Sequence, residues 1–376
     1  MRELCNRGGP AQTTRKPRHP DMSGMREEMR EAQTIAALES PPPVYEPVPA
    51  LMQGNLLVCE YMNHRVQCLN HRNEHVYSIG GQRGSAEGQF SYPESVLVDD
   101  KNRLFVVDSD NHRIQLFELD ETGFFRFSSS FGRHGKGSGE LRHPRDICID
   151  GTGKVMVTDS ENHRVAVFSA TLEFAANFGS RGTEPGQFYY PHGITVDLRD
   201  NIYVADTRNA RVGIFTNAMD SILLIESMGH GVPPFVEPYG LLFDARTWRL
   251  FITDRGRHTL SVVKIDPGPE LETNPSFKPL NQIGKKGFRL GEFHYPYGMC
   301  LDADGDLYVA DGFNHRVTVH NGTDFSSISQ AGKRGDDPGE LACPIAVHKC
   351  GSGFYAEENH YFEPPSAPQS EYMVHS

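Results

Sequence analysis

Apolar residues come along this chain in short runs separated by polar turns, and the runs return at a fixed interval. One interval is legible in full between Tyr92 and Pro144. Tyr92 and Pro93 open a β-run, Val96-Leu97-Val98, that ends at Asp99, and Asp100-Lys101-Asn102 has the composition of a turn. A second run, Leu104 to Val107, ends on Asp108. Residues 108 to 113 turn the chain into a third run, Ile114 to Phe117, and a fourth approaches Phe131. A glycine-rich return, Gly132 to Gly139, then leads to Leu141 and the next proline, Pro144. Four short β-runs per interval, each bounded by turn residues, predict one blade of a β-propeller.

The turn between the second and third runs carries a carboxylate, two variable residues and Asn-His-Arg, or a relic of it. Its copies are Glu60-Asn63-His64-Arg65, Asp108-Asn111-His112-Arg113, Asp159-Asn162-His163-Arg164, Asp206-Asn209-Arg211, Asp254-His258 and Asp311-Asn314-His315-Arg316. The carboxylates lie about 50 residues apart, a period typical of repeat arrays. Innermost strands are expected at Val96, Ile147, Ile194, Leu241, Met299 and Ile345, and returns begin at Gly80, Gly132, Gly179, Gly229, Gly284 and Gly332. The two series are out of phase. The first period, from Asn55, lacks an innermost strand, and the sixth is followed by a spare one, Ile345 to His348. Lending that spare strand to the first blade closes a six-bladed, all-β ring and removes its exposed sheet edges. Phe354 to His360 has the look of a further second strand that would compete with Leu56 to Glu60 for the same place.

Proline, a small residue, a strand, Asp and then Asn-His-Arg is the pattern of the NHL-repeat family, which residues 54 to 350 resemble. The fourth copy departs from it with Ala210 in place of histidine, and the fifth with Arg257 and Thr259 in place of Asn and Arg. Tripartite-motif proteins that end in an NHL propeller are the relatives this resemblance suggests. In them the propeller recognises RNA in translational repression, or recruits protein substrates while a separate RING transfers ubiquitin. The resemblance therefore implies recognition here, with ligase chemistry only if a RING is supplied elsewhere.

Outside the propeller, assigned to residues 51–362, composition changes. Residues 1–50 carry Arg15-Lys16-Pro17-Arg18 and Pro41-Pro42-Pro43, which cannot build a core, and read as a disordered, Pro-rich extension. Within it Met25 to Leu38 has helix-forming composition, although so short a segment rarely folds alone. Residues 363–376 read as a disordered tail. Neither an apolar leader after Met1-Arg2-Glu3 nor a membrane-length apolar run is present, so a cytoplasmic location without membrane contact is expected. Seven cysteines without Cys-x-x-Cys spacing read as buried free thiols of a reducing compartment and exclude RING and B-box zinc sites. Net charge is −12, which argues against a broadly cationic nucleic-acid binder but leaves room for a local patch.

The repeat histidines invite a metal reading, yet one per blade places them around a ring instead of converging them. A structural motif is expected: Asp108, Asn111 and Arg113, Asp159, Asn162 and Arg164, Asp206 and Arg211, and Asp311, Asn314 and Arg316, each carboxylate accepting turn amides and pairing with its arginine. Asp302-Ala303-Asp304-Gly305-Asp306 lacks the sixth-position glycine and twelfth-position glutamate of a calcium loop and reads as a hairpin turn. Residues after the repeat prolines, Glu94, Arg145, His192, Tyr239, Tyr297 and Ile345, should crowd the channel mouth. A single histidine among them cannot supply the three ligands of a catalytic zinc, and no nucleophile motif is present, so neither an enzyme nor a cofactor or metal is expected.

That mouth, the glycine returns and the Asn-His-Arg turns should share one face. Arg133, Arg142, Arg145, Arg181, Arg208, Arg257, Lys285 and Lys286 would offer phosphate contacts there, beside His192, Tyr239 and Tyr297. Basic side chains with aromatic rings suit single-stranded or looped RNA, the expected partner, with recruitment of a protein substrate as the alternative. Glu87, Glu140, Glu184, Glu237, Glu292, Asp336 and Asp337 interrupt the positive charge, and the tyrosines equally suit packing between blades.

Overall fold

A computed structural model describes residues 54–229, 232–266 and 276–350. The expectations for residues 1–50, for the tail and for Phe354 to His360 lie outside the described residues. The described chain forms six antiparallel four-stranded sheets. In blade two the strands run Pro93–Val98, Arg103–Asp108, Arg113–Leu119 and Phe125–Phe131, innermost to outermost. The innermost strands of blades three to six are Pro144–Ile149, Pro191–Val196, Pro238–Asp244 and Pro296–Leu301. Each begins at its repeat proline, whose missing N–H removes no ladder bond at a strand's first residue.

Blade one is composite. Its strands Leu56–Glu60, Arg65–Leu69 and His75–Gly80 are completed by Pro344–Lys349, which pairs antiparallel with Leu56–Glu60 in the register Val58 to Val347 and Cys59 to Ala346. The ring is thus a closed six-bladed propeller sealed by its last described strand, as the phase of the strands requires. Cys350 N–H donates to the Asn55 carbonyl at 2.8 Å and Gly54 N–H to the Cys350 carbonyl at 2.8 Å, extending the seam past the strand ends.

The core lies between blades. Phe105 and Val107 of blade two meet Ile147, Val155 and Val157 of blade three, all nearly solvent-free. In five of the six returns the last apolar residue, Phe90, Leu141, Phe188, Phe293 or Leu341, is buried at 1% exposure or less. Burying such a side chain contributes about 1.5–3 kcal/mol, so the returns are held down by packing as well as by polar contacts. Toward the axis the innermost strands nearly touch. A Cβ on Gly193 would lie 2.2 Å from the Tyr239 carbonyl oxygen and one on Gly240 2.4 Å from that of Tyr297, which is why glycine follows the post-proline residue there.

Candidate recognition face

The repeat turns and the returns meet on one face of the ring. After Asp108 the chain makes a single 3₁₀ turn, Ser109–Asn111, and reverses through His112 in the left-handed region at φ 57°. Asp159, Asp206 and Asp311 open the same construction, and Ala210 keeps the left-handed backbone where histidine is missing. The buried carboxylate is the hub. Asp108 Oδ1 accepts the Ser91 amide at 2.7 Å, while Oδ2 accepts Asn111 Nδ2 at 2.9 Å and Arg113 Nε at 2.8 Å. Asn111 Nδ2 also donates to the Gly84 carbonyl and Arg113 Nη2 to the Ala86 carbonyl, so both donors fasten the incoming return to the blade. Asp159 with Asn162 and Arg164, Asp206 with Asn209 and Arg211, and Asp311 with Asn314 and Arg316 repeat this network. Burial pushes the Asp108 carboxyl above its ordinary range, against the pull of the Ser91 amide, Asn111 and Arg113.

The histidines fasten the opposite neighbour. Nδ1 of His64, His112, His163, His258 and His315 accepts, at 3.1 Å each, the backbone amide of the residue before the next blade's proline: Tyr92, His143, Tyr190, Tyr295 and Cys343. Those donor residues all hold positive φ, between 47° and 57°. An accepting Nδ1 must be unprotonated, and burial accordingly lowers the imidazoles of His64, His112 and His258 to about 4. Reading the sequence placed these histidines in a ring but missed this bond. Its signal was their recurrence 27 to 37 residues ahead of each pre-proline position.

At the axis the post-proline side chains close the channel instead of lining an open mouth. Tyr239 packs between His192, tilted with ring centroids 4.5 Å apart, and Tyr297, edge-on at 4.9 Å, and its hydroxyl donates to Glu94 Oε2 at 2.9 Å. Arg145 pairs with the same Glu94. Arg255, which the sequence did not single out although it follows Asp254 directly, lies over Tyr239 at 5.1 Å and Tyr297 at 5.8 Å and donates to Glu237 Oε2. His192, Tyr239, Tyr297 and Ile345 are all buried. Burial, then the positive charges of Arg145 and Arg255, hold the His192 imidazole well below its usual value. These residues form an aromatic plug packed on two partly buried ion pairs. At this end of the ring the innermost strands converge too closely to leave these side chains a lumen to line.

The remaining basic residues stand outside the plug. Arg133, Arg208 and Lys285 are exposed and paired with Glu140, Glu237 and Glu292, and Arg142 pairs with Glu161 in a half-buried position. Arg181 is exposed and lies over Tyr189 at 5.2 Å. Arg257 donates to the Pro234 carbonyl at 3.2 Å, and Lys286 is exposed. The return of blade six adds Phe288, 78% exposed between Lys286 and Arg289. Among the described residues no cluster of His, Cys, Asp and Glu could hold a metal ion.

Blades two, three, four and six, over residues 90–117, 141–168, 188–215 and 293–319, match the NHL repeat model. Blade five, which lacks the Asn and Arg of the motif, and the composite blade one are not among the matched stretches. The Drosophila melanogaster protein brain tumor is 36% identical over 91 residues, 24% of this chain and 8% of that protein. The Caenorhabditis elegans B-box type zinc finger protein ncl-1 is 29% identical over 130 residues, 23% of this chain and 15% of its own. The chain thus matches only a small part of the length of these relatives. Among solved structures, a nidogen/laminin complex superposes with a TM-score of 0.54 at 16% identity, covering 78% of this chain and 97% of that one, which is a likeness of fold. Recurrence of the motif, a ring of six blades and the matched stretches together show NHL repeats built into a six-bladed β-propeller.

Proposed function

We propose that this propeller is a non-catalytic recognition module whose stapled face binds single-stranded or looped RNA in post-transcriptional regulation in the cytoplasm. The observation that carries the reading is the set of exposed cations on the returns into blades three, four and six, Arg133, Lys136, Arg181, Lys285, Lys286 and Arg289, with Arg208 on the repeat turn of blade four, and the repeat arginines fasten those returns. Rigid loops present phosphate-binding groups without the entropic cost of ordering them. With Tyr239 and Tyr297 committed to the plug, the aromatic platform on this rim is Phe288, set between Lys286 and Arg289. Of the residues expected from sequence, Arg133, Arg181, Arg208, Lys285 and Lys286 remain the phosphate contacts, whereas Arg145, His192, Tyr239 and Tyr297 support the surface from beneath.

The experiment is a titration of the propeller with a random RNA pool at low and moderate salt. Several phosphate contacts make the affinity fall with a logarithmic slope of about −0.7 per contact for single strands. Lys286→Glu with Arg289→Glu should flatten that slope, and Phe288→Ala should weaken binding about tenfold through lost stacking. Absence of RNA retention at low salt would discard the reading. Salt-insensitive capture of a protein through the Phe288 and Leu290 tip would favour the alternative, recruitment of a substrate for a ligase whose RING lies elsewhere.

A further inference from the structure

The plug leaves a blind cavity on the other side of it. A space of about 350 Å³ opens on the face opposite the repeat turns and ends against the innermost strands near Ser95, Asp146, Gly240 and Gly298. That volume is within the range of small-molecule sites. Its floor is polar but satisfied: Asp146 accepts Ser95 Oγ at 2.7 Å and the amides of Ile147 and Ile194 at 2.9 and 3.0 Å, tying three blades together. Above the floor runs a belt of apolar residues, among them Val96, Ile147, Ile194 and Met299.

The next level has a different character. Each innermost strand contributes the residue four positions after its proline: His348, Leu97, Cys148, Thr195, Leu242 and Cys300 in blades one to six. Innermost strands contact in ring order, so blades one and four face each other across the axis, as do two and five. His348 therefore opposes Thr195, and Leu97 opposes Leu242. All four are partly exposed, and neither the His348 ring nor the Thr195 hydroxyl hydrogen-bonds to any described residue. Two unused polar groups at opposite ends of one diameter, with two leucines at opposite ends of another, are complementary to a particular shape. Solvent reaches both groups, so a ligand that hydrogen-bonds to each in place of water gains affinity from both contacts.

We infer that this cavity is a binding site for a small, neutral, flat and largely apolar molecule, of the size of a bicyclic heteroaromatic, that hydrogen-bonds at one end to Thr195 and at the other to His348. It acts independently of the RNA-binding rim, from which the plug separates it.

Saturation-transfer NMR at neutral pH with indole, benzimidazole and 5-hydroxyindole as probes, titrated to millimolar concentration, tests the site. At least one probe should saturate and shift the His348 imidazole resonances. Leu242→Trp should abolish binding by filling the lumen, and Thr195→Val and His348→Leu should each weaken it about tenfold, the loss of one hydrogen bond. If Leu242→Trp fails to fold by thermal melting, the Thr195→Val, His348→Leu double variant decides. No saturable binding of any probe, or affinity unchanged in that double variant, would overturn the inference and leave a water-filled channel.

Discussion

The junction between blades two and three and the junction between blades four and five join the same kind of strands by different chemistry. At the first, Asp159 accepts the Arg142 amide while binding Asn162 and Arg164, and His112 accepts the His143 amide. At the second, Thr259 replaces the arginine, Arg257 the asparagine and Ala210 the histidine of the preceding blade. Asp254, relieved of its side-chain partners, takes both amides itself: Val236 N–H at 2.8 Å through Oδ2 and Glu237 N–H at 3.0 Å through Oδ1. Glu237 N–H is the group that a histidine at position 210 would have bound. Glu237 does not share the positive φ of its counterparts. The losses in the two blades are therefore one change. A carboxylate freed from arginine covers for a missing imidazole.

The widest separation between the junctions should come from deleting the hubs. Asp159→Ala leaves Arg164, Asn162 and the Arg142 amide without their acceptor in a site where the arginine side chain is 11% exposed. Breaking a buried pair in this way costs about 3–5 kcal/mol. Asp254→Ala removes only amide acceptance and should cost about 1–3 kcal/mol. Equal losses in urea unfolding would show that the arginine contributes nothing beyond the amides. The Arg113→Ala variant should fall between the two, with a marked drop in Tm.

Acidification should then separate the stapled junctions from the unstapled one. The folded imidazoles of His64, His112 and His258 sit near 4 and unfolded histidine near 6.5. For a base whose folded pKa is lowered, the stabilisation is fully present above the unfolded value and is lost as pH falls from about 6.5 toward 4. Melting curves should shift down through that window. Replacing these three histidines by asparagine, which tolerates the left-handed backbone, should reduce the slope and also lower Tm at pH 8 through the loss of three amide acceptors. A slope unaltered by the triple change would assign the acid sensitivity to the other buried histidines, such as His320 and His348, whose imidazoles burial also lowers to about 4.

Much of this contrast was legible in one dimension. The six motif copies, the phase mismatch that demands closure through Pro344–Lys349, and the degeneracy of Ala210, Arg257 and Thr259 all follow from spacing. Local patterns recur because each copy solves the same turn. The plug was not legible in this way, because whether Tyr239 and Tyr297 face solvent depends on how closely six strands from distant parts of the chain converge. Gly193 and Gly240 record that convergence, but only once the neighbouring carbonyls are placed. His348, Thr195 and Asp146 escaped notice for the same reason: each is unremarkable in its own strand and acquires meaning from the blade across or beside it.

The smallest expected effect is the most specific to the compensation. His163→Ala takes the acceptor from the Tyr190 amide and should cost about 1–2 kcal/mol. Ala210→His puts the missing imidazole back, yet Glu237 N–H is already bound by Asp254, so the variant should change stability by about 0.5 kcal/mol or less. The same substitution in an Asp254→Ala background meets a free amide and should recover part of the loss. Double-mutant coupling between positions 210 and 254 is the quantity to measure, since contacting partners couple and independent sites add. Additive effects would mean that the imidazole of blade four and the carboxylate of blade five never served the same amide, and the two junctions would then differ by accident of drift alone.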